Sequence, residues 1–408
     1  MVKQSYQENI TIVMENLEYG GATTHLISLI NNKRFKKNKF TIITNKNNFA
    51  TKNILNSCDM KNLRFIYYHS FNLNHFKNIF LKSLFFFVKP FLFLISIIQM
   101  LFVIKKVKFD IILANCGGYG DFRTEMACIF ACKLLGKKNL HLLIHHSYTK
   151  PKLWSYLIDF LNLFIGRFLD GLIFVSFATK KSIEFNTRLL DSFRYQASVI
   201  HNGIHLRKIK KVKKLKNLST KKNLIKIGML SRIERYKGQV DLIKGFSKLP
   251  DKKKSKYKIF FVGNGEKKEL THLKNMVSKL RLKKYVKIVK YINKDSLLII
   301  KNFDLLFSLT RDFEGFGYSI AEALYLGVPV VSTKVGGVTE FLNTKNATLI
   351  KPKDINSIKK ILVEFLIKRK NFKYKSLNGK KLIIKKFNSD LMTSKFYDYF
   401  KKTYNRNL

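Results

Sequence analysis

The chain has 408 residues, too many for one ordinary core, and 46% of them are apolar, so two domains with sizeable cores are expected. Lys and Arg number 78 against 26 Asp and Glu, a net charge of +52 that points to an anionic partner: nucleic acid, an anionic membrane face or a phosphorylated substrate. The four cysteines, Cys58, Cys116, Cys128 and Cys132, form no C-x-x-C pair and no metal-ligand spacing, which excludes a disulfide framework and leaves buried free thiols in a reducing compartment.

The N-terminal residues have no apolar core of a signal peptide, so a cytoplasmic protein is expected. Residues 9–14 read as a first strand, followed by Gly20-Gly21 and a helix to about residue 30. A glycine pair between a first strand and a first helix lets a phosphate or sugar come close to backbone. Residues 39–44 and 65–69 read as strands. The most apolar stretch, 80–104, is interrupted by Lys82 and Lys89, and its uncharged run from Pro90 is only 15 residues. A spanning helix needs about 20. A strand at 109–114 follows at once, so a helix packed on the first domain or lying in a membrane interface is expected rather than a span. Residues 121–135 read as a helix, and 140–147 as a strand ending in His145-His146. A histidine pair at the mouth of a parallel strand faces the crevice where open sheets bind ligands. Helices at 153–168 and 180–185 flank a strand at 170–176. Residues 208–222 form a Lys-rich linker with little apolar content.

In the second half, a strand from residue 224 delivers Arg232 and Lys237 to its C-terminal end. Arg forks onto phosphate oxygens and Lys is a point charge, so the two together can neutralise a diphosphate. Residues 258–262 form a strand ending in the turn Gly263-Asn-Gly265. Residues 303–309 are another short apolar strand, followed by Glu314-Gly315-Phe316-Gly317 and a helix over 318–325, which Gly327 and Pro329 close. The loop suits phosphate, and Glu314 and Glu322 bracket the helix start. Phosphate-binding backbone beside two carboxylates describes a site for a nucleotide sugar.

Glu314-x7-Glu322 with Gly-Phe-Gly between and Gly327-Val-Pro-Val-Val after it resembles the signature of the large group 1 family of retaining glycosyltransferases. Gly228-x-x-Ser-Arg232-x-x-x-x-Lys237-Gly resembles that family's phosphate-binding motif, Gly263-Asn-Gly265 its glycine turn, and Gly336-Gly337-x-x-Glu340 a turn that supports the site. The resemblance is specific from Gly228 to Glu340 and loose before about Ser198. It departs at the interdomain crossing, where His201 and His205 stand for the family's Pro and Asp.

The resemblance implies an α/β protein of GT-B fold, two Rossmann-like doubly wound domains facing across a cleft. Residues 1–203 would bind the acceptor, 204–385 the nucleotide sugar, and 386–408 would form a helix returning to the first domain. It implies sugar transfer from a nucleoside diphosphate with retention, using no cofactor and no metal; the sequence has no Asp-x-Asp motif. Arg232 and Lys237 would stabilise the leaving diphosphate, Glu314 would orient donor-sugar hydroxyls, and Glu322 would hold the ribose. Gly20, Gly21, Gly263, Gly315, Phe316 and Gly317 would line the donor. One of His145 and His146 would touch the donor sugar, and His146, nearer the strand end, is the expected one. The basic surface and the Phe-rich stretch favour a glycan or lipid-linked acceptor at the cytoplasmic membrane face, as in polysaccharide or lipopolysaccharide synthesis. A charge-driven binding protein, nucleic-acid binding included, and a non-catalytic subunit are the rival readings; a glycogen-type phosphorylase would need a pyridoxal lysine for which there is no motif.

Overall fold

The computed structural model describes residues 8–15, 20–45, 51, 54, 56–58, 62–69, 79–150, 153–207, 218–219, 223–291 and 295–407, without the side chains of 79–86 and 407. The Lys-rich linker expected at 208–222 lies almost wholly outside the described residues. The chain divides into two compact units, Met1–Gly203 with Ser389–Leu408, and Ile204–Asn388.

The first unit is built on strands β1 Asn9–Met14, β2 Lys39–Asn45, β3 Leu63–Tyr68, β4 Ile111–Cys116, β5 Leu140–Ile144, β6 Gly171–Phe174 and β7 Ser198–Val199. All pair in parallel, in the order β3-β2-β1-β4-β5-β6-β7. Ile12 lies opposite Ile42 on one side and Leu113 on the other. Successive side chains leave opposite faces of a strand, and both faces here are apolar. Ile12, Ile42, Leu113, Leu143 and Ile173 pack with Leu26 and Leu29 of helix Gly21–Ile30 and with Phe396 and Phe400 of the last helix, Ser389–Asn407. Val13, Ile43, Ala114, Leu142 and Leu172 pack with helices Ile79–Lys105, Thr124–Leu134 and Ser155–Phe168. The strand order reverses between β1 and β4, which opens a crevice at their C-terminal ends.

One helix starts later than its sequence suggests. Residues 121–123 stay outside it because Asp121 is engaged elsewhere: it accepts from its neighbour Phe122 N at 2.9 Å and pairs with Lys89 at 2.5 Å, and Arg123 is extended. Cys128 and Cys132 share a helix face with their Sγ atoms 3.9 Å apart, and all four cysteines are buried and free.

The second unit repeats the plan with β8 Ile225–Leu230, β9 Tyr257–Val262, β10 Val286–Val289, β11 Leu305–Ser308, β12 Val330–Thr333 and β13 Thr348–Ile350. Its parallel order is β10-β9-β8-β11-β12-β13, with the reversal between β8 and β11. Ile227, Ile259 and Leu305 face one core layer, and Phe260, Leu306 and Val330 face the other. Residues 386–388 belong to this unit rather than to the last helix: Lys386 ends the helix Arg369–Lys386, and the Phe387 ring lies against Phe316 and Phe341.

Candidate functional site

Arg232, Lys237 and Glu314 follow the two strands that flank the reversal in the second unit. Past β8 the chain runs through Ser231 and Arg232 into a 3-10 turn, Arg235–Lys237. The end of β9 presses against this segment: a Cβ at Gly263 would lie 1.8 Å from the Ser231 carbonyl oxygen, so glycine is required by close approach. Lys237 turns inward and its Nζ donates to Glu314 Oε2 at 2.7 Å, an oxygen that also accepts from Thr310 Oγ1 at 3.1 Å. Burial pulls the ammonium pKa down, but the Glu314 carboxylate and Tyr236 outweigh it, so the group is held above its ordinary value and stays charged.

Glu314 is fixed from the other side by the turn Gly336–Glu340. Gly337 N donates to Glu314 O at 2.8 Å. Gly336 has φ 57°, and a Cβ there would sit 2.4 Å from the same oxygen, so both conformation and space demand glycine. Gly317, at φ 84°, caps the helix Tyr318–Tyr325, whose first turn carries the positive end of the helix dipole. Gly315 is buried beside it. Phe316 does not join this polar arrangement: its side chain is buried against Tyr318, Phe341 and Phe387, so only its backbone is available to a ligand.

Arg232 is held by Glu234, 2.8 Å from its Nη1, and by the Tyr236 hydroxyl, which accepts from Nη2 at 2.9 Å. The Tyr236 ring also lies 4.8 Å from Lys237 Nζ, so one aromatic links both cations. Gln239 Nε2 donates to Ser231 Oγ and to Arg232 O, at 3.1 and 2.8 Å. Arg311 forks onto the buried Asp241 at 2.6 and 2.8 Å and its backbone N donates to Tyr236 O at 2.7 Å, tying the β11 loop to the β8 loop. On the second turn of the helix, Glu322 is almost fully buried and accepts from Ser296 Oγ at 2.7 Å. Burial pushes its carboxyl up to about 7, against the Ser296 hydrogen bond. Asp295 caps the helix Ser296–Ile300 and pairs with Arg207.

In the first unit Gly20 caps helix Gly21–Ile30, and a Cβ at Gly20 would meet nothing within 4 Å. At the end of β5 the two histidines differ. His145 is buried, with Nε2 2.7 Å from Asn115 Oδ1 and its ring 5.0 Å from that of His25, while His146 is partly exposed and lies 3.1 Å from Ser147 Oγ through Nδ1. Burial, then His25, holds His145 well below the usual imidazole range, so it is neutral. At the β1–β4 reversal, Glu15 N donates to Glu125 Oε1 at 2.9 Å and Thr124 Oγ1 donates to Glu15 Oε2 at 3.0 Å. Burial pushes Glu125 up to about 7, with Arg123 opposing.

The structure thus joins Lys237 to Glu314 directly, and Arg232 to Lys237 through Tyr236. It places His146, Gly20 and Gly21 in the other unit. Sequence reasoning missed Tyr236, Gln239, Thr310, Asp241, Arg311, Ser296 and Glu125. Tyr236 and Gln239 flank the basic motif and were within reach of it; the others act through contacts that no spacing announces. Among the described residues no three His, Cys, Asp or Glu side chains gather as a metal site.

Residues 210–381 match the family model described as glycosyl transferases group 1. An uncharacterized glycosyltransferase of Methanocaldococcus jannaschii is 24% identical over 322 residues, 78% of this chain and 81% of that protein. Among solved structures, Anabaena HepE in complex with UDP and glucose superposes with a TM-score of 0.76 at 17% identity, covering 96% of this chain and 99% of that one. A glycosyltransferase from Rickettsia africae gives a TM-score of 0.74 at 19% identity, covering 97% and 98%. The fold is therefore α/β with two domains, of the GT-B kind.

Proposed function

We propose that this chain is a retaining glycosyltransferase of the group 1 kind, which moves a hexosyl group from a nucleoside diphosphate to an acceptor hydroxyl without a metal or other cofactor. The observation that carries the reading is the Lys237–Glu314 contact of 2.7 Å at the β8–β11 reversal. It sets a charged ammonium and a carboxylate side by side where an open sheet binds ligands. The family match over the second unit supports the same reading, and the UDP and UDP-glucose complexes of HepE make UDP the first nucleotide to test.

The chemistry requires the diphosphate to leave with its charge. Arg232, Lys237 and the backbone around Gly315 and Gly317 stabilise that charge, the task a metal performs in other enzymes. Glu314 orients the sugar hydroxyls and Glu322 accepts from the ribose. The bond from the anomeric carbon to the phosphate oxygen breaks, a bond to the acceptor oxygen forms on the same face, and the acceptor proton passes to the leaving phosphate. Gly20, Gly21 and His146 are the first unit's contribution to donor and acceptor. The acceptor is a glycan or lipid-linked glycan on the cytoplasmic side of a membrane, in polysaccharide or lipopolysaccharide synthesis, a location that free buried thiols and the charge of +52 favour. The test is UDP release from UDP-hexoses with and without lipid-linked acceptors, with the product anomer read by NMR. An inverted product would overturn retention, and UDP binding without turnover on any acceptor would leave a non-catalytic subunit.

A further inference from the structure

The helix Ile79–Lys105 has two apolar faces, and its fold accounts for only one. Phe93, Ile97, Met100 and Ile104 recur at helical spacing and pack with Met126 and Phe130 of the helix Thr124–Leu134. On the opposite side Phe87, Phe91, Leu94, Ile98 and Phe102 repeat the same spacing, and each is more than half exposed, from 53% for Ile98 to 64% for Phe91. A second helix of the same layer, Ser155–Phe168, does likewise: Ile158, Asn162 and Ile165 are buried, while Tyr156, Phe160 and Phe164 are exposed, Tyr156 by 91%. The rings Phe93, Phe130, Phe168, Phe164 and Phe160 touch in series across the three helices. The two exposed stripes therefore rise from one helical layer on one face of the first sheet.

The topology adds charge to one border of this face. Each of the three helices runs into a parallel strand of the sheet, so their C-terminal ends lie along one edge. Exposed Lys105, Lys106, Lys108, Lys133, Lys137, Lys138 and Arg167 gather there. The acids at that edge are engaged: Asp110 accepts from Asn9 N at 2.7 Å and Asp170 from Leu140 N at 3.0 Å. An apolar surface rimmed by cations has the chemistry of an anionic bilayer interface, with rings among the acyl chains and lysines at the headgroups. Within this helix Phe87–Lys105 is long and apolar enough to cross a membrane, but its buried face and the Lys89–Asp121 pair hold it to a sheet whose next strand, β4, lies between β1 and β5.

We infer that the outer face of this layer docks flat on an anionic lipid membrane, with the exposed stripes of Ile79–Lys105 and Ser155–Phe168 as paired ridges. The inference stands apart from the sugar-transfer reading. Its occupant is a lipid surface rather than a second copy, because cations gathered on the rim of both copies would repel. The only tryptophan, Trp154, caps the helix Ser155–Phe168 and is an intrinsic reporter.

The full chain is mixed with phosphatidylcholine vesicles, with or without phosphatidylglycerol, and followed by sedimentation and tryptophan emission. The chain sediments with the anionic vesicles, and the emission moves to the blue. Phe91→Ser with Phe102→Ser weakens binding by about a hundredfold. Tyr156→Ser with Phe160→Ser also weakens it, while Ile367→Ser with Tyr374→Ser, equally exposed in the second unit, changes nothing. Melting curves and UDP binding unchanged in each variant show that folding and the donor site are intact. Wild-type chain left in the supernatant with both vesicles would overturn the inference. So would variants that bind as wild type, or a dimer in gel filtration that the Phe91 and Phe102 changes dissociate.

Discussion

The two units share one doubly wound plan, yet they differ in how their charged and titratable groups are paired. At the β8–β11 reversal, charges are kept and paired: Lys237 with Glu314, Arg232 with Glu234, Arg311 with Asp241. In the first unit two histidines packed against the sheet are buried and neutral, and the β1–β4 reversal holds Glu125 beside Arg123, whose charge Glu125 and Glu15 favour against the cost of burial. Burial lowers His25 and His141 to about 3 and raises Glu125 to about 7. A preorganised set of charges serves a ligand that brings charge of its own, whereas buried neutral groups serve packing. The proposed reading puts the diphosphate at the paired charges of the second unit.

The comparison is broken most directly by removing a cation. Lys237→Ala lowers kcat about 100- to 1,000-fold, the typical loss of one donor to a developing anion, and leaves the first unit's melting unchanged. Steady-state kinetics beside calorimetry check this, and kcat within about threefold of wild type would place the diphosphate elsewhere. Gly336→Ala comes next. It forces a side chain into a left-handed conformation against the Glu314 carbonyl, which costs about 1–3 kcal/mol and displaces the carboxylate. Both the second unit's melting temperature and UDP affinity fall; loss of neither would show that the turn does not hold Glu314.

The two remaining predictions set the units' pH responses against each other. Glu322 titrates near 7 in the fold and near 4.5 unfolded, so the folded state binds the extra proton between those values. Its contribution to stability is therefore lost as pH rises through that window. Ribose hydroxyls favour the ionised carboxylate, so UDP affinity rises about tenfold from pH 6 to 8 with proton release, and Glu322→Gln flattens the profile. Titration calorimetry in buffers of different ionisation enthalpy reads the proton directly. His25 has the opposite sign. With its pKa lowered from 6.5 to about 3, it contributes stability that is full above 6.5 and is lost as pH falls toward 3. His25→Leu, facing His145 and Phe396, moves the first unit's acid midpoint to lower pH, the smallest of these effects; an unmoved midpoint would mean that His25 is charged in the fold.

What the sequence revealed follows the same division. Gly263, Gly317 and Gly336 are demanded by close approach or positive φ, and Arg232, Lys237 and Glu314 stand at strand ends, so turn geometry writes the second unit's site into residue types at fixed spacing. The apolar runs of the strands likewise announced both sheets. The first unit's crevice left no such trace. Glu125 sits inside an ordinary helix, and what makes it unusual is its burial beside Glu15 and Arg123, which depends on contacts far apart in the chain. The stretch 80–104 read as a single apolar segment, and only its packing divides it into a buried stripe and an exposed one.

The central claim is that the second unit holds a nucleoside diphosphate between Arg232, Lys237 and the Gly315–Gly317 turn, with Glu322 on the ribose. Its most direct test is the melting temperature of wild type and Glu322→Ala with UDP, GDP or ADP, since a ligand bound only by the folded state raises it. The account predicts a rise with one nucleotide, UDP first, that the Glu322→Ala change abolishes or sharply reduces. No rise with any of the three, or an equal rise in the variant, would contradict it.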